Sequence, residues 1–401
     1  MTSRFGPLRR RAYRNVFLAR AASSIGDALI FVAFAFAVLR LGGSASQLGL
    51  LLALGTVIRL VLLVFAGVYA DRMPRQLVML SSDIVRGAVQ GVMALLLITH
   101  HATLWQLGLS FAIHSAASAF FGPASDGLTP QLVPSDELQN ANALLDLTRS
   151  APSILGPVIA GALVAAFGPG WVFAIDAVSF VVSAFFLSLV RLPPREPREH
   201  EPFFQAVAVG WREIRARDWY WQNLITHALW NFAWPMTNVL GPVVALQYLG
   251  GAKSWGIVSG AEGVGFVLGS LITLRIKPNR PLVVGNALLV LSAVPCVLLA
   301  KPTSTWLIAA SVIPAMAGLG ILNALWFTVI GLRLPEHVLS RVNSFDWIIS
   351  LVVNPAGLAL AGPLSVAIGT RSTLLIAAAI IAVPSTLICF VPSVRSVTAT
   401  P

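Results

Sequence analysis

Acidic and basic side chains interrupt several apolar stretches of this sequence that are long enough to cross a membrane. A charged group inside a bilayer costs at least roughly 2.5–3.5 kcal/mol, so each such residue needs a partner or a function. A carboxylate that loses and regains a partner can bind and release protons. The candidates for this chemistry are Asp27, Arg59, Asp83, Arg86, Asp146, Arg149, Glu262 and Asp346.

Four of these residues form two local pairs. The spacing of Asp83 and Arg86 places both on one helical face, and the same spacing joins Asp146 and Arg149. We expect these pairs to belong to a buried ion network that holds the first half of the chain together.

Asp27 is the leading candidate for a carboxyl group that exchanges protons. It lies roughly 18 Å into the first apolar stretch, and Arg59 reaches a similar depth in the second. An apolar environment favours the neutral acid and a nearby arginine favours the charged form, so movement of Arg59 relative to Asp27 would couple conformation to proton binding. Alternatively, both belong to the structural network. Glu262 and Asp346 have no obvious basic partner in their own helices; Glu262 is either a second proton carrier or contacts a hydroxyl of another helix.

The elements that carry these residues are predicted to be transmembrane helices. Apolar residues make up 57% of the 401-residue chain and charged residues 11%, which is too few charges to cover a soluble protein of this size. A helix crosses a bilayer with roughly 20 residues. The sequence therefore predicts an all-α membrane protein with twelve transmembrane helices. They span approximately 15–39, 47–69, 77–98, 103–125, 139–166, 170–191, 219–248, 253–274, 281–300, 304–330, 341–368 and 371–391.

A repeated segment divides the helices into two sets of six. Residues 134–168 recur at 335–369 without a gap, and the matches include proline, asparagine and glycine. We expect two pseudo-symmetric six-helix bundles, residues 1–191 and 219–401. The polar segment 192–218 between them is predicted to be a cytoplasmic linker with an amphipathic helix on the membrane surface; a partner-binding helix is the alternative.

The basic residues predict the orientation. Twenty lie on one side of the predicted spans and four on the other. Such an asymmetry places the richer side in the cytoplasm. We expect a multi-pass protein of a bacterial inner membrane with both termini cytoplasmic.

The sequence argues against several other function classes. The net charge is +11, but the basic residues lie between apolar runs without interleaved aromatics, so we expect no nucleic-acid partner. Cys296 and Cys389 are isolated in apolar runs, which excludes a disulfide framework. No nucleotide-binding loop, metal cluster or nucleophile with its base is evident, so we predict no enzyme, no cofactor and no metal. His114 and His227 are expected to be buried and neutral.

The loop between spans two and three reads Gly67-Val-Tyr-Ala-Asp71-Arg72-Met-Pro-Arg75-Gln76. It resembles the signature of the major facilitator superfamily, Gly-x-x-x-Asp-Arg/Lys-x-Gly-Arg-Arg/Lys, with Pro74 and Gln76 as departures. The resemblance implies the twelve-helix major facilitator fold. It also implies a conformational latch formed by Gly67, Asp71, Arg72 and Arg75, with Asp126 as a partner. The alternative is that the arginines only retain the loop in the cytoplasm.

Two further resemblances indicate efflux. Gly156-Pro157-x-x-Ala160-Gly161 resembles the Gly-Pro-x-x-Gly-Gly motif of drug and proton antiporters, with Ala160 replacing a glycine. Fragments such as Gly26-Asp27 and Phe121-Gly-Pro-Ala124 resemble the efflux branch that contains macrolide exporters and the enterobactin exporter.

The family resemblance places spans one, four, seven and ten around a central cavity. The aromatic and amide residues of these spans suit a bulky amphipathic substrate, although each aromatic is alternatively a packing or lipid-facing residue. Pro235 is predicted to break span seven. The candidate lining residues are Phe31, Phe120, Phe121, Trp230, Asn231, Trp234, Asn323 and Trp326.

We therefore expect a monomeric secondary transporter whose partners are a small-molecule substrate, protons and the lipid bilayer. It would export a hydrophobic or amphipathic molecule, such as a drug, an antibiotic or a siderophore, by alternating access in exchange for protons. Two alternatives remain: a proton-coupled importer of a small metabolite, and a non-transporting membrane sensor or assembly protein.

Overall fold

The computed structural model describes residues 5–190, 211–212, 214–334 and 352–398, without the side chains of residues 64 and 67–72. In the first half the helices are α1 (Arg11–Arg40), α2 (Ala45–Arg72), α3 (Arg75–Ile98), α4 (Leu104–Leu132), α5 (Leu138–Phe167) and α6 (Pro169–Ser188). In the second half they are α7 (Asp218–Ala233), α8 (Pro235–Val244), α9 (Ala252–Thr273), α10 (Pro281–Leu289), α11 (Ala293–Ala300), α12 (Thr305–Arg333), α13 (Asn354–Ile368), α14 (Thr370–Leu387) and α15 (Pro392–Arg395).

These helices account for the twelve predicted spans. Within the described ranges, nine helical segments have the length and hydropathy to cross a membrane. The others are α4, which is 29 residues long, the divided pair α7 and α8, and the part of span eleven seen as α13. Residues 335–351, where span eleven was predicted to begin, lie outside the described residues. The predicted all-helical membrane fold is confirmed.

Span seven is broken where its proline was predicted to break it. Pro235 is the first residue of α8, directly after Trp234. Proline has no amide hydrogen to donate to the preceding turn and its ring crowds that turn, so a continuous helix is interrupted there. The segment ends in a single π-helical turn at Ala245–Leu249.

The chain divides into two compact units. The first unit is Met1–Ser44 with Leu54–Arg198, and the second unit is Ala45–Ala53 with Glu199–Pro401. In the first unit α1 packs against α5 and α6, and α3 packs against α4 and α6. In the second unit α9 and α12 pack closely: an added Cβ at Gly269 would lie 2.2 Å from the carbonyl oxygen of Ala317.

The internal repeat is visible in backbone geometry. Gly168 separates α5 from α6 with φ 92°, and its counterpart Gly369 separates α13 from α14 with φ 87°. Side chains other than hydrogen are strained in this region, so glycine is favoured at both corners. The paired glycines Gly156 and Gly357 also make equivalent close contacts, the former with Ala28 of α1 and the latter with Phe232 of α7.

The end of the predicted linker packs on the second unit. Ile214 is fully buried in a hydrophobic cluster with Leu224 and Ile330, whereas Arg212 and Arg215 are exposed. This one-sided burial fits an amphipathic segment. Residues 191–210, which contain the first part of the linker, lie outside the described residues.

Candidate functional site

Four helices of the first unit bring polar side chains together between apolar surfaces. α1 contributes one residue, α3 three, α4 two and α6 two. We call this group the carboxylate cluster. Its members are Asp27, Asp83, Arg86, Gln90, Ser110, His114, Asp176 and Ser183.

The periodicity of α3 explains why it supplies the centre of the cluster. Asp83, Arg86 and Gln90 follow one another at intervals of three and four residues, which places them on one helical face. All three are buried, together with Gly87 and Met93 of the same face. A helix that buries polar residues in this way must satisfy them with partners from its neighbours.

Arg86 joins two carboxyl groups. Its Nη2 donates a hydrogen bond to Asp83 Oδ1 on the same helix, and its Nη1 lies 3.4 Å from Asp27 Oδ2 on α1. The guanidinium also lies 4.6 Å from the ring centre of Phe121 and 4.2 Å from that of Phe180. Cation–π contacts of this kind stabilise a desolvated arginine, so Arg86 is held in place from several directions.

The other carboxyl groups of the cluster have hydrogen-bond donors. Ser183 donates its hydroxyl to Asp83 Oδ2. Gln90 Nε2 donates to Asp176 Oδ2 at 2.6 Å, and Gln90 Oε1 accepts from Ser110 at 3.5 Å. These bonds fix the positions of the acids without supplying a positive charge.

Asp27 is the member of the cluster that reaches an open surface. Its side chain is 42% exposed, whereas those of Arg86 and Asp83 are 2% and 0% exposed. On its other side, Asp27 Oδ1 lies 3.6 Å from His114 Nε2. Asp27 is therefore the accessible end of the cluster, and it contacts the buried residues Arg86 and His114 directly.

The charges of the cluster do not balance when every acid is ionised. Asp27, Asp83 and Asp176 supply three carboxyl groups, and Arg86 is the one guanidinium among its members. Uncompensated charges are expensive in a buried setting. Interacting acids also titrate as a group. The arrangement is chemically suited to holding at least one proton.

A second polar group lies on the same face of α1, two turns before Asp27. Arg20 is buried, and its Nη1 donates to Ser125 Oγ at 2.8 Å and lies 3.5 Å from Asp126 Oδ1. Arg149 of α5 is also 3.5 Å from this carboxylate oxygen. Asp126 thus links α1, α4 and α5.

Two predicted pairings differ in the structure. Asp27 meets Arg86 and His114, whereas Arg59 is exposed on α2 and makes no ion pair with Asp27 in the described part of the chain. Likewise, Arg149 contacts Asp126 of α4 across the helix packing. Its local neighbour Asp146 is exposed and forms no ion pair within the described ranges. In both cases the partner lies on a neighbouring packed helix, whereas helical spacing and membrane depth predict a different partner.

The predicted latch is described only in part. The side chains of Gly67, Asp71 and Arg72 lie outside the described residues. The guanidinium of Arg75 lies against Gly127 of α4, where an added Cβ would be 1.8 Å from Arg75 Nη1. Gln76, a departure from the family signature, donates a hydrogen bond to the carbonyl oxygen of Leu187 at 2.6 Å. The start of α3 is therefore fastened to α4 and α6.

Candidate lining residues of the first unit differ in exposure. Phe31 is 38% exposed. Phe120 and Phe121 are partly buried against the hydrophobic cluster that includes Leu128. In the antiporter-like motif, Gly156, Pro157 and Gly161 are all buried in α5.

Aromatic residues of the second unit form two groups. Trp230 and Trp234 stack with ring centres 5.7 Å apart. Trp326 is only 2% exposed and packs in the core, with its ring centre 5.0 Å from that of His227. The ring of Trp326 is thus covered by neighbouring side chains in this structure, and its lining role stays a prediction.

The remaining polar candidates of the second unit are partly buried. Asn231 donates to the carbonyl oxygen of His227 at 3.0 Å, and Asn323 and Glu262 keep part of their surface exposed. Asp346 lies outside the described residues.

Comparison with known proteins settles the family. The family model of the Major Facilitator Superfamily matches residues 16–353. The chain belongs to this superfamily. It is therefore a multi-pass membrane protein of this superfamily.

Curated relatives within the superfamily carry the names of exporters. The chain is 25% identical to macrolide efflux protein A of Streptococcus pyogenes over 242 residues, which is 60% of each protein, so the match spans only about three fifths of that relative. It is 24% identical to the multidrug efflux pump Tap of Mycolicibacterium fortuitum over 90% of each protein. It is 28% identical to the enterobactin exporter EntS of Salmonella typhi over 88% of this chain and 85% of that protein.

Solved structures establish the same fold at low sequence identity. A bacterial homologue of the human lysosomal transporter Spinster aligns with a TM-score of 0.75 and 17% identity over 98% of each chain. A peptide transporter POT aligns with a TM-score of 0.78 and 9% identity over 97% of this chain and 96% of that one. The major facilitator fold predicted from the loop signature is confirmed.

Several residues of this transporter were missed as site residues from the sequence alone. Asp176 lies inside an apolar span, so the cost of a membrane-embedded charge is a signal that could have identified it. Gln90 follows Arg86 by four residues on the same face. Arg20 is one of the twenty basic residues counted on the predicted cytoplasmic side, yet it is 4% exposed. Its partners Ser125 and Asp126 come near it only when the helices pack.

Proposed function

We propose that this transporter exports a hydrophobic or amphipathic small molecule in exchange for protons. The names of its relatives support the direction, because macrolide efflux protein A, Tap and EntS are all named for export. The compounds in these names differ, so the proposal states only that the exported molecule is bulky and largely apolar.

The carboxylate cluster is the observation that carries the proton-exchange part of the proposal. Asp27 is partly exposed and lies 3.4 Å from Arg86, which a second acid, Asp83, also contacts. When Asp27 is protonated its attraction to Arg86 weakens, and when it is ionised the attraction draws α1 toward α3. Proton binding at one exposed acid thereby changes the force between two helices.

Substrate binding would act on the same helices. Phe31 is on α1, one turn beyond Asp27, and it is partly exposed. A bulky apolar molecule that packs on this ring would lie beside the carboxyl group of Asp27, so cargo and proton would bind at neighbouring positions of one helix. Such proximity lets the binding of one affect the binding of the other, as antiport requires.

The second unit supplies the other proposed contacts. Trp230 and Trp234 stack on each other and are buried, so they would support the site from behind, beside the partly exposed amide of Asn231. Asn323 adds a second amide from α12. Mixed surfaces of this type suit amphipathic cargo. Glu262 and Asp346 remain proposed as secondary proton carriers of this half.

The proposal includes the orientation of the protein in the membrane, its two moving halves and its latch. The distribution of basic residues supports an orientation in a bacterial inner membrane with both termini in the cytoplasm, and it offers no nucleic-acid-binding patch. The protein would act as a monomer. Residues 1–191 and 219–401 would be the two moving halves, with 192–218 as the linker. Asp71, Arg72 and Arg75 would form the cytoplasmic latch, in which the contact of Arg75 with Gly127 takes part.

The test is transport by the purified protein in proteoliposomes. Ethidium and erythromycin are offered outside vesicles with an acidic interior, and an entrapped pH dye records proton movement. The expected result is accumulation of at least one compound, accompanied by substrate-dependent proton efflux, and loss of this accumulation when an uncoupler collapses the pH gradient. Accumulation that does not respond to the pH gradient would exclude proton exchange, and accumulation only with the opposite gradient would indicate import.

A further inference from the structure

Asp176 is a carboxyl group sealed inside the first unit. Its side chain is 0% exposed, and Oδ2 accepts the hydrogen bond from Gln90 at 2.6 Å. The other oxygen, Oδ1, is buried without a hydrogen-bond partner among the described residues. An ionised carboxylate in this position would leave a charged oxygen unsatisfied, which is among the most costly arrangements in a protein interior.

The groups that face Asp176 do not provide a matching charge. The charged groups that act on it are Asp27 of α1 and Asp83 and Arg86 of α3. Two of the three are acids, and Arg86 is already bonded to both of them. Within the described ranges no basic side chain lies at ion-pair distance from Asp176.

Other elements near α6 do not change this balance. On α4, His114 is next to Asp27 and its ring centre lies 5.8 Å from that of Phe180. α5 also packs against α6, but its charged residues Asp146 and Arg149 are exposed.

The backbone of α1 covers the unsatisfied oxygen. A Cβ added at Gly26 would lie 2.3 Å from Asp176 Oδ1 and 2.1 Å from Ser179 Oγ. Only a glycine permits this approach. Water reaches Asp176 from this side only if α1 moves away from α6.

We propose that Asp176 is a second proton-binding site, which keeps its proton while Gly26 covers it and releases the proton when α1 separates from α6. Asp27 directly follows Gly26 in the chain, so one movement of α1 changes the distance from Asp27 to Arg86 and uncovers Asp176. Gln90 is a positioning residue that holds the acid from α3, and Ser110 holds Gln90 in turn. This inference rests on the proposed proton exchange and adds a second, sealed acid to it.

Infrared spectroscopy of the purified protein tests the site without any substrate. The wild type should show the carbonyl band of a protonated carboxyl group, with slow exchange in heavy water because the group is sealed. Asp176→Asn should remove this band, and Asp136→Asn, the same change at an exposed loop position, should keep it. Gly26→Ala should keep the band and accelerate its exchange, because the added methyl group must displace α1 from α6.

Transport measurements with ethidium complete the test. Asp176→Asn resembles the protonated acid in shape and charge, so it should fold and catalyse ethidium exchange between equal concentrations, but lose accumulation driven by a pH gradient. An unchanged carbonyl band in Asp176→Asn, or gradient-driven accumulation equal to wild type, would overturn the inference. If wild-type protein shows no proton-driven transport at all, the proposed function fails, and the infrared difference still decides whether Asp176 holds a proton.

Discussion

Nη1 of Arg86 on α3 lies 3.4 Å from Oδ2 of Asp27 on α1, and the side chain of Asp27 is the more exposed of the two. A buried guanidinium thus faces a partly exposed acid. Because Arg86 also bonds to Asp83, it retains a partner when Asp27 takes up a proton. The contact between α1 and α3 can weaken without leaving Arg86 unpaired, as a reversible proton switch requires.

Removal of Arg86 should destabilise the first unit. Arg86→Leu leaves Asp83 buried beside Ser183 without its guanidinium, and breaking a buried ion pair costs about 3–5 kcal/mol. Thermal unfolding in detergent should show this loss. The double variant Asp83→Asn with Arg86→Leu should be more stable than Arg86→Leu alone, because it removes the unpaired acid. An Arg86→Leu variant as stable as wild type would show that the pair does not stabilise the fold.

Displacing Arg75 from α4 should affect transport more than stability. Gly127→Ala places a methyl group 1.8 Å from the present position of Arg75 Nη1, so the flexible end of that side chain must move. Gly122→Ala on the same helix is a matched control, since nothing lies within 4 Å of its added Cβ. We expect similar unfolding temperatures and a lower ethidium transport rate in Gly127→Ala alone. Equal rates in the two variants would remove the Arg75 contact from the latch.

Replacement of either repeated glycine, Gly156 or Gly357, by alanine should destabilise the protein. Gly357→Ala brings Cβ to 1.9 Å from the carbonyl oxygen of Phe232, and Gly156→Ala brings it to 2.5 Å from Cβ of Ala28. Such overpacking costs about 1–3 kcal/mol. Gly331→Ala, whose Cβ meets nothing within 4 Å, is the control. Unfolding in detergent should rank both repeat variants below the control, and a ranking in which all three match wild type would contradict the packing described.

The sequence predicts features that depend on the spacing of nearby residues along the chain, or on a residue type that the helix cannot accommodate without losing stability. The bond between Asp83 and Arg86 follows from three residues of helical spacing, and the break before Pro235 follows from the missing amide hydrogen. The corners at Gly168 and Gly369 follow from the repeat. In each case the information lies within a few residues or within two aligned segments.

Contacts that depend on how the helices pack against one another could not be predicted from the sequence. Their similar depth in the membrane predicts a pair of Asp27 with Arg59. In the structure Arg59 is exposed on α2, and Arg86 of α3 is the arginine that lies next to Asp27. Arg149 meets Asp126 of another helix for the same reason. Helical periodicity states which residues share a face, and only the folded unit decides which faces meet.

The most direct test of the account is gradient-driven transport by Asp27→Asn in proteoliposomes. Ethidium accumulation driven by an acidic interior is compared with ethidium exchange between equal concentrations, for wild type and variant. The account predicts that the variant folds, retains exchange and loses gradient-driven accumulation, because an amide neither gains nor loses the proton. Gradient-driven accumulation equal to wild type in Asp27→Asn would contradict it.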